Sequence, residues 1–302
     1  MVLVVGGTGR MGSRLVERLA ARGEQVRVLS RRPAAAGRQG VETVEGDLRE
    51  PDSVARALQG IRTVVAAAHG FDGRAGVNPT TIDWQGNRTL IRAAESAGVE
   101  HLILLSVMGV AADHPMDLFQ MKARAEADLR ASSLAWTIIR ASAFMETWMM
   151  VIGEPLIRTG KTRVFGSGGN PVNFVSAADV ADAVEAAVFD PSLRQSVVEV
   201  GGPEDLNWTD FTRIVQEVAG RSGKVSRVPR PMLRAMSVLL GPVNPILARQ
   251  VKAAVVMDTR DMTLNGLADP NAVRRIGRLR LADVVRRDYA EAAAPAPALG
   301  KV

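Results

Sequence analysis

The chain has 302 residues, enough for one large α/β domain or two small ones, and 47% of them are hydrophobic, which is ample for a buried core. It contains no cysteine, which excludes disulfides and thiolate metal sites, and none of its three histidines stands at metal-ligand spacing. The net charge is +6, with arginines crowded over 221–234 and 274–287. Acidic residues lie among the second group and no aromatic residues are interleaved, so nucleic acid is not the expected partner.

The first half of the chain alternates predicted strands and helices, the pattern of a parallel sheet with helices on both faces. Strands are predicted over 2–5, 25–29, 41–45, 62–67, 101–106 and 135–139. Helices are predicted over 11–22, 51–58, 79–97, 117–131 and 143–159. We therefore expect an α/β fold with a doubly wound parallel sheet, a Rossmann domain over residues 1–142.

The second half is less regular and predicts a smaller, mostly helical C-terminal lobe over 143–290. Its predicted elements are strands at 162–165, 173–175 and 196–200 and helices at 177–189 and 209–219. The segment of about 173–200 is expected to return to the Rossmann sheet. Residues 229–257 are apolar and broken by prolines, which indicates helices around a pocket, and the Ala/Pro-rich tail 291–302 is predicted to be disordered.

A glycine turn, GGTGRMG at residues 6–12, joins the first strand to the first helix. Gly6 can leave the strand with positive φ, Gly9 lets a pyrophosphate approach the backbone, and Gly12 lets the helix lie close to the sheet. Backbone N–H groups and a helix N-terminus then converge where a phosphate can sit. The strand–turn–helix context favours a dinucleotide site over a turn made for packing alone.

The end of the second predicted strand reads Ser30-Arg31-Arg32 and carries no acid. An acid at this place often binds the adenosine ribose and repels a 2′-phosphate, whereas guanidinium groups grip a phosphate with paired hydrogen bonds. Arg10, inside the glycine turn, is placed to reach the same phosphate. The sequence therefore favours NADP(H), with NAD(H) as the alternative; in the competing interpretation Arg31 and Arg32 are ordinary loop charges.

Two further strand ends border the expected cofactor. Asp47 follows the third strand and either accepts a hydrogen bond from the adenine amino group or only starts the next turn. Small residues, Ala67 and Ala68, end the fourth strand and leave room for the ribose and nicotinamide side. His69 beside them is either a proton donor or a structural histidine.

An ordered set of motifs resembles one known group, the NmrA-like atypical short-chain dehydrogenase/reductases. The motifs stand at 6–12, 30–32, 46–48, 137–140, 175–181 and 201–204, and the resemblance covers roughly residues 1–220. It implies a Rossmann domain, a smaller C-terminal lobe and a substrate cleft between them. Some members reduce quinones, dyes or enone-like plant metabolites with NADPH; others bind the cofactor without known turnover and act as sensors or regulators.

Typical short-chain dehydrogenases place a Ser and a Tyr-x-x-x-Lys motif around the nicotinamide, with the Tyr as proton donor. In this chain Lys122 matches the lysine and Ser106 matches the serine, but Leu118 stands where the tyrosine would be. The only tyrosine, Tyr289, lies far along the C-terminal region. Alcohol/ketone chemistry through a tyrosine is therefore not expected. The resemblance implies that Lys122 still holds the ribose and positions the nicotinamide; otherwise it is a surface lysine.

The segment after the sixth strand should border the nicotinamide, because ligands bind beyond the carboxyl ends of parallel strands. Phe144, Met145 and Trp148 either line a flat apolar pocket for a planar substrate or form part of the lobe core. Arg140 is expected to brace this segment. The whole predicted cofactor site comprises Gly6, Thr8, Gly9, Arg10, Met11, Gly12, Ser30, Arg31, Arg32, Asp47, Leu48, Ala67, Ala68, His69, Ser106, Lys122 and Ala143.

The sequence thus predicts an NADPH-dependent reductase of a planar, electron-poor acceptor such as a quinone or dye, which needs no protein acid because water can protonate the product. The alternative is a non-catalytic NADP(H)-sensing regulator or assembly factor with a protein partner. No apolar run reaches the roughly 18 residues of a membrane span, and no signal peptide is recognised. We therefore expect a cytoplasmic protein with a small-molecule acceptor and no membrane partner.

Overall fold

A computed structural model describes residues 1–32, 39–71, 73 and 76–293. The strands are β1 Val2–Val5, β2 Val26–Ser30, β3 Val41–Glu45, β4 Thr63–Ala66, β5 His101–Val107, β6 Ala135–Ala141, β7 Ala143–Phe144, β8 Lys161–Phe165, β9 Val172–Val175, β10 Ser196–Gly201, β11 Glu204–Leu206, β12 Lys224–Val228 and β13 Val273–Ile276. The helices are α1 Arg10–Ala21, α2 Pro51–Ala57, α3 Asn87–Ser96, α4 Asp117–Arg130, α5 Met145–Trp148, α6 Glu154–Thr159, α7 Ala177–Phe189, α8 Trp208–Ala219, α9 Arg230–Leu239, α10 Pro245–Thr259, α11 Leu264–Leu267 and α12 Leu281–Ala293.

Eight strands form one parallel sheet in the order β13-β10-β6-β5-β4-β1-β2-β3, which confirms the predicted doubly wound α/β fold. Strands β2 and β3 are added on one side of β1, and the chain then crosses to the other side of β1 to form β4. This reversal opens a crevice at the carboxyl ends of β1 and β4, the place where doubly wound sheets bind ligands.

Helices cover both faces of the sheet, because its strands are apolar on both faces and each face needs a partner. Helices α1 and α7 pack on one face, and α2, α3 and α4 pack on the other. A third core joins α5, α6, α8 and α12 into the C-terminal lobe. None of the helices in the described residues is long and apolar enough to cross a bilayer.

The elements of the second half differ from the sequence predictions in three places. The strand β9 joins a small sheet with β7 and β11, while β10 and the unpredicted β13 join the main sheet. The helix expected over 143–159 is broken into β7, α5, a π-helical turn at Met149–Gly153 and α6. Pro155 explains part of the break, since it has no N–H to continue a regular helix from the preceding turn. Helix α12 extends through Ala293, into the predicted disordered tail, whose remaining residues lie outside the described ones.

A buried histidine, His101, is expected to make the stability of the protein depend on pH. His101 begins β5 and its Nε2 lies 2.9 Å from Thr137 Oγ1, which itself donates to the Leu193 carbonyl. Thr137 must therefore accept, so Nε2 carries the proton of a neutral ring. Burial, helped by the charge of Arg194, lowers the pKa of His101 from 6.5 to about 4.

We expect the free energy of unfolding to rise by about 1–2 kcal/mol between pH 5 and pH 7 because of this residue. Between pH 4 and pH 6.5 the histidine is protonated in the unfolded chain but neutral in the folded chain. The free energy of unfolding therefore falls as the pH falls from 6.5 toward 4. Chemical denaturation at several pH values measures this slope. His101→Gln should flatten it, whereas His69→Gln, at an exposed position, should leave it unchanged; equal slopes in the wild type and His101→Gln would contradict the assignment.

Candidate functional site

The glycine turn lies in the crevice between β1 and β4. Gly6 has φ +87°, and a Cβ on it would stand 2.7 Å from the backbone nitrogen of Ala68, so the turn and the end of β4 touch. A Cβ on Gly12 would overlap the carbonyl oxygen of Gly6. Only glycine fits these two positions, which brings the first turn of α1 close to the strand end.

The N-terminus of α1 is open to a ligand. Its N-cap residue is Gly9, no side chain caps the helix, and the first turn holds no acid. Thr8, Gly9 and Arg10 are exposed. The unpaired N–H groups and the positive end of the helix are therefore free to bind an anion, which fits the pyrophosphate of a dinucleotide.

Gly9 offers a direct test of this interpretation. A Cβ at Gly9 would meet the protein only at the Gly6 carbonyl oxygen, 3.3 Å away, so the fold tolerates Gly9→Ala while the methyl group occupies the phosphate approach. We expect NADPH affinity to fall about tenfold or more. Gly241→Ala is the matched control, because its Cβ would stand 3.4 Å from the Val238 carbonyl oxygen. Calorimetric titration and thermal unfolding check both variants; equal NADPH affinity in both would refute the phosphate position.

Ser30 ends β2, and Arg31 and Arg32 follow it as an exposed turn. The Ser30 hydroxyl donates to the carbonyl of Arg32 at 2.9 Å and accepts from its N–H at 3.2 Å, so it holds the turn itself. Within the described part of the chain, neither Arg31 nor Arg32 forms an ion pair, and both guanidinium groups can therefore bind a phosphate. The third predicted cation is Arg10, whose Nη2 lies 3.3 Å from Met150 Sδ.

Asp47 and Leu48 follow β3 and are both buried. The Asp47 carboxylate accepts from Nε and Nη2 of Arg49 at 3.0 and 2.6 Å, and this hydrogen bonding, with the charge of Arg49, lowers the pKa of Asp47. Leu48 packs in the core beside α2, and Met11, in the first turn of α1, packs in the core on the other face of the sheet. Asp47 thus shapes its own turn, and its contact with adenine stays a prediction.

Lys122 is buried and paired with an acid that the sequence analysis did not single out. Its Nζ lies 3.0 Å from Asp83 Oδ1 and donates to the Leu105 carbonyl at 2.8 Å, and the side chains are 5% and 0% exposed. Asp83 Oδ2 also accepts from the N–H of Gly70, at the end of the loop that holds Ala67, Ala68 and His69. The lysine is therefore not a surface residue. Of the three ammonium N–H groups, one donates to the Leu105 carbonyl, and Asp83 pairs with the charge without an aligned hydrogen bond to Oδ1. The ammonium therefore keeps an N–H for a ribose hydroxyl.

The pair is built by the π-helical segment Pro79–Gly86 before α3. This segment is capped by Asn78, whose side chain accepts from the Thr81 N–H at 3.0 Å. A π-turn widens the helix by one residue per turn, and such turns recur at functional sites. The amide of Asn87 donates to the Asp83 carbonyl at 2.9 Å and fixes the segment from below.

Ser106 belongs to a buried charge network. Its hydroxyl donates to Glu126 Oε1 at 2.6 Å, and Arg140 grips the same carboxylate with Nε at 3.0 Å and Nη2 at 2.7 Å. Arg140 Nη1 also donates to Asp269 at 2.9 Å and lies 3.9 Å from Glu199. Burial raises the pKa of Glu199, while the Asn271 N–H and Arg140 lower that of Asp269. The expectation that Arg140 braces residues 141–150 is wrong, since its side chain ties α4 and the loop before β13 to the sheet.

Leu118 lies in an apolar cluster at the start of α4. The cluster comprises Phe71, Val107, Met116, Leu118, Phe119, Ala253 and Val256. Its last two members come from α10, which is also held by Arg249, bonded to Asp117 at 3.1 Å and to the Phe71 carbonyl at 2.7 Å. Helix α10 therefore covers, with apolar groups, the place where a tyrosine proton donor would stand, and the ring of the buried His114 stacks on Phe119 at 4.0 Å beside it.

The segment after β6 is fixed by Glu146. This buried carboxylate accepts from the hydroxyl of Ser176 at 3.1 Å and from the N–H of Ala177 at 3.0 Å, at the start of α7. Met145 is completely buried in the lobe core, so the core interpretation holds for it. Phe144, Trp148 and Ala143 are half-buried, and the Trp148 ring lies 4.7 Å from that of Trp208.

The buried hydroxyl of Ser142 has no hydrogen-bond partner within the described part of the chain. It follows β6 directly, at the carboxyl edge of the sheet. Buried polar atoms nearly always have partners, so this hydroxyl is a natural contact for a ligand. The sequence analysis missed it, along with Asp83 and Glu126. Glu126 stands four residues after Lys122 on one helix face, a spacing that could have revealed it.

Comparison with known proteins agrees with this geometry. A sequence profile described as NAD(P)H-binding matches residues 6–191. The NAD(P)H azoreductase of Xenophilus azovorans is 31% identical over 225 residues, which cover 73% of this chain and 74% of that protein. The photosystem II assembly factor Ycf39 of Trieres chinensis is 26% identical over 243 residues, covering 80% of this chain and 76% of that protein.

Among solved structures, the NADPH-dependent quinone oxidoreductase QOR2 of Escherichia coli, complexed with NADPH, superposes with a TM-score of 0.74. It is 18% identical, and the alignment covers 96% of this chain and all of that one. At this identity the likeness shows a shared fold alone.

Proposed function

Because the chain belongs to the NAD(P)H-binding family, as its resemblance to the NmrA-like group implied, we propose that it is an NADPH-dependent reductase of a planar, electron-poor acceptor such as a quinone or dye. The nicotinamide, when bound, supplies a hydride, and the protein supplies position and surroundings. The fold and the family support the cofactor, and the residues around Leu118 favour the acceptor class.

The residues present fit such a cofactor. The open N-terminus of α1 would hold the pyrophosphate, Ala67 and Ala68 would border the ribose, and an N–H of Lys122 would donate to a ribose hydroxyl. The unpartnered hydroxyl of Ser142 would donate to the nicotinamide side. These four places follow the carboxyl edge of the sheet from β1 to β6, as a dinucleotide bound across a Rossmann crevice requires.

The apolar cluster around Leu118 is the observation that carries the choice of acceptor. A simple carbonyl that receives hydride becomes an alkoxide and needs a proton donor beside it. Here Leu118, Phe119 and Met116 offer none, and α10 closes over them with alanine and valine. A quinone or an extended cationic dye instead yields a delocalised anion or a neutral product, which water can protonate after release. Flat aromatic acceptors also suit apolar walls.

Oxidation of NADPH against a panel of quinones, azo dyes and triphenylmethane dyes tests the proposal. We expect turnover with these acceptors, none with simple ketones, and no solvent deuterium isotope effect on the hydride-transfer step, because no proton moves in it. Ketone reduction with a solvent isotope effect would contradict the proposal, and so would protein that binds NADPH well yet oxidises it with no acceptor.

We propose that Arg31 selects NADPH over NADH. Arg31→Ala is expected to weaken NADPH binding about tenfold and leave NADH binding unchanged, because only NADPH carries the 2′-phosphate that a guanidinium can grip. Arg88→Ala is the matched control, at another exposed arginine, on α3, that forms no ion pair with any described residue. Fluorescence titration with both cofactors measures the ratio, and equal wild-type affinities for NADH and NADPH would refute the phosphate role.

A second candidate is a cofactor-sensing regulator or assembly factor. The missing proton donor at Leu118 favours it, and so does the similarity to an assembly factor at an identity close to that of the azoreductase. This candidate requires that NADP(H) binding change the set of bound proteins. Pull-downs with and without cofactor distinguish the two: altered partners together with no turnover favour the regulator, and identical partners together with turnover favour the reductase.

A further inference from the structure

The helical hairpin formed by α9 and α10 ends in an uncovered apolar tip. Residues 235–248 contain no charged side chain, and Val238, Leu239 and Val243 are 74%, 73% and 83% exposed. Leu233 and Val251 are buried between the two helices, so the hairpin packs at its middle, while its tip is uncovered. Adjoining exposed apolar side chains of this size mark interaction surfaces.

The same part of the chain is strongly basic. Residues 218–257 contain seven Lys and Arg residues and no Asp or Glu, so this segment carries +7 while the whole chain carries +6. Arg230 and Arg249 use their charge on Asp258 and Asp117. The exposed cations that form no ion pair within the described residues are Arg221, Lys224, Arg227, Arg234 and Lys252; of these, Arg221 donates to the Ile157 carbonyl.

The cations nearest the tip lie one to two helical turns from it along the hairpin. Arg234 precedes Val238 by one helical turn, about 6 Å, and Lys252 follows Pro245 by two turns, about 10 Å. Amphipathic helices bind bilayers with their apolar side chains about 5–10 Å into the boundary between headgroups and acyl chains. If the tip enters to that depth, Arg234 and Lys252 meet the lipid phosphates.

We propose that the α9–α10 hairpin is a contact surface for an anionic phospholipid bilayer, inserted at its tip and held by the cations behind it. Charge complementarity selects this occupant, because a second copy of the chain docking through the same face would bring the exposed Arg234 and Lys252 of one copy toward those of the other. The sequence-based expectation of no membrane partner rested on the lack of a spanning segment, and a surface contact needs none. The proposal is independent of the reductase activity.

Flotation of the full chain with vesicles tests this surface. We expect binding to vesicles of phosphatidylcholine and phosphatidylglycerol at low salt, weakening as salt is raised, and none to phosphatidylcholine alone. Leu239→Ser combined with Val243→Ser should reduce the bound fraction at least about tenfold, since it removes two exposed apolar side chains. Arg234→Glu combined with Lys252→Glu should reduce it by a similar factor, as each cation near an anionic surface contributes about 1 kcal/mol, or about fivefold.

Matched controls separate the tip from general charge and hydrophobicity. Val273→Ser, at another exposed valine, and Arg88→Glu should both bind as the wild type does. NADPH affinity reports that every variant is folded. Because the chain has no cysteine, Leu239→Cys labelled with an environment-sensitive dye gives a second readout, with a blue shift expected on anionic vesicles and none for labelled Val273→Cys.

Several results would overturn the proposal. The first is that the protein fails to float with anionic vesicles at low salt. The second is that neither double variant reduces the bound fraction, and the third is that vesicles with and without anionic lipid bind the protein equally. A dimer in sedimentation that dissociates in the Leu239→Ser and Val243→Ser variant would assign the surface to a second copy instead.

Discussion

Replacement of Lys122 by methionine is expected to lower the free energy of unfolding by about 3–5 kcal/mol. The Lys122–Asp83 pair is fully buried at 3.0 Å, so the variant leaves the Asp83 carboxylate without a counter-charge in a region from which water is excluded. Removal of one partner of a buried pair costs far more than the net strength of the pair, because the remaining charge loses its solvation. Urea denaturation measures the loss.

The double variant Asp83→Asn with Lys122→Met should recover much of this stability, because no uncompensated charge remains. A double-mutant cycle isolates the coupling, which we expect to be large and favourable. The exposed pair Arg213–Glu217, at 2.9 Å on α8, is the matched control, and Arg213→Met should change stability little. A Lys122→Met variant as stable as Arg213→Met would contradict the buried pair.

The same variants distinguish the contribution of Lys122 to stability from its contribution to cofactor binding. Lys122→Met removes the donor proposed for the ribose, whereas Asp83→Asn keeps the ammonium and removes only its carboxylate partner. We expect NADPH affinity to fall about tenfold in Lys122→Met and less in Asp83→Asn. Both affinities are measured without denaturant, at a temperature at which both variants are folded. Equal losses in the two variants would assign Lys122 to positioning of the 67–70 loop alone.

Sequence patterns predicted the Rossmann half well because its signals are local. An apolar run such as Val2–Val5, a glycine turn and an amphipathic helix each reveal themselves within a few residues. The strand β13 reads Val-Arg-Arg-Ile and lies half-exposed at the edge of the sheet, so its residues carry no apolar run to detect. Its assignment needs the neighbouring strand β10, which is distant in the sequence.

The site divides in the same way. The glycine turn and Lys122 follow a spacing that can be recognised in the chain, whereas Asp83 and Lys122 meet only because a π-turn and α4 pack together. Met145, a candidate substrate contact in the sequence, is instead completely buried in the lobe core. In the sequence, an apolar residue beside a cleft looks the same whether its side chain faces the ligand or the core. Which of these two surroundings an apolar side chain enters is decided by tertiary packing, here by the small sheet of β7, β9 and β11.

Glu126→Gln should produce the second large effect, a loss of about 2–4 kcal/mol in the free energy of unfolding. Glu126 is 1% exposed and its carboxylate is shared by Ser106, Arg140 and Arg130. The glutamine amide has nearly the size of the carboxylate but lacks the charge that balances Arg140. Its NH2 group replaces one carboxylate oxygen, so a hydrogen-bond donor then faces another donor. Asp269 retains part of the balance, which is why the expected loss is smaller than that for Lys122→Met.

The variant also tests how the sheet is joined to the loop before β13. Arg140 spans from Glu126 to Asp269, 2.9 Å away, so weakening one end of this bridge should loosen the other. We expect faster amide hydrogen exchange at residues 268–272 in Glu126→Gln. Asp128→Asn on the same helix is the control, because its amide oxygen can still accept from Trp84 Nε1, as the carboxylate does at 3.1 Å. If exchange at 268–272 is the same in both variants, then Arg140 holds that loop through Glu199 and Asp269 alone, and Glu126 acts only on Ser106.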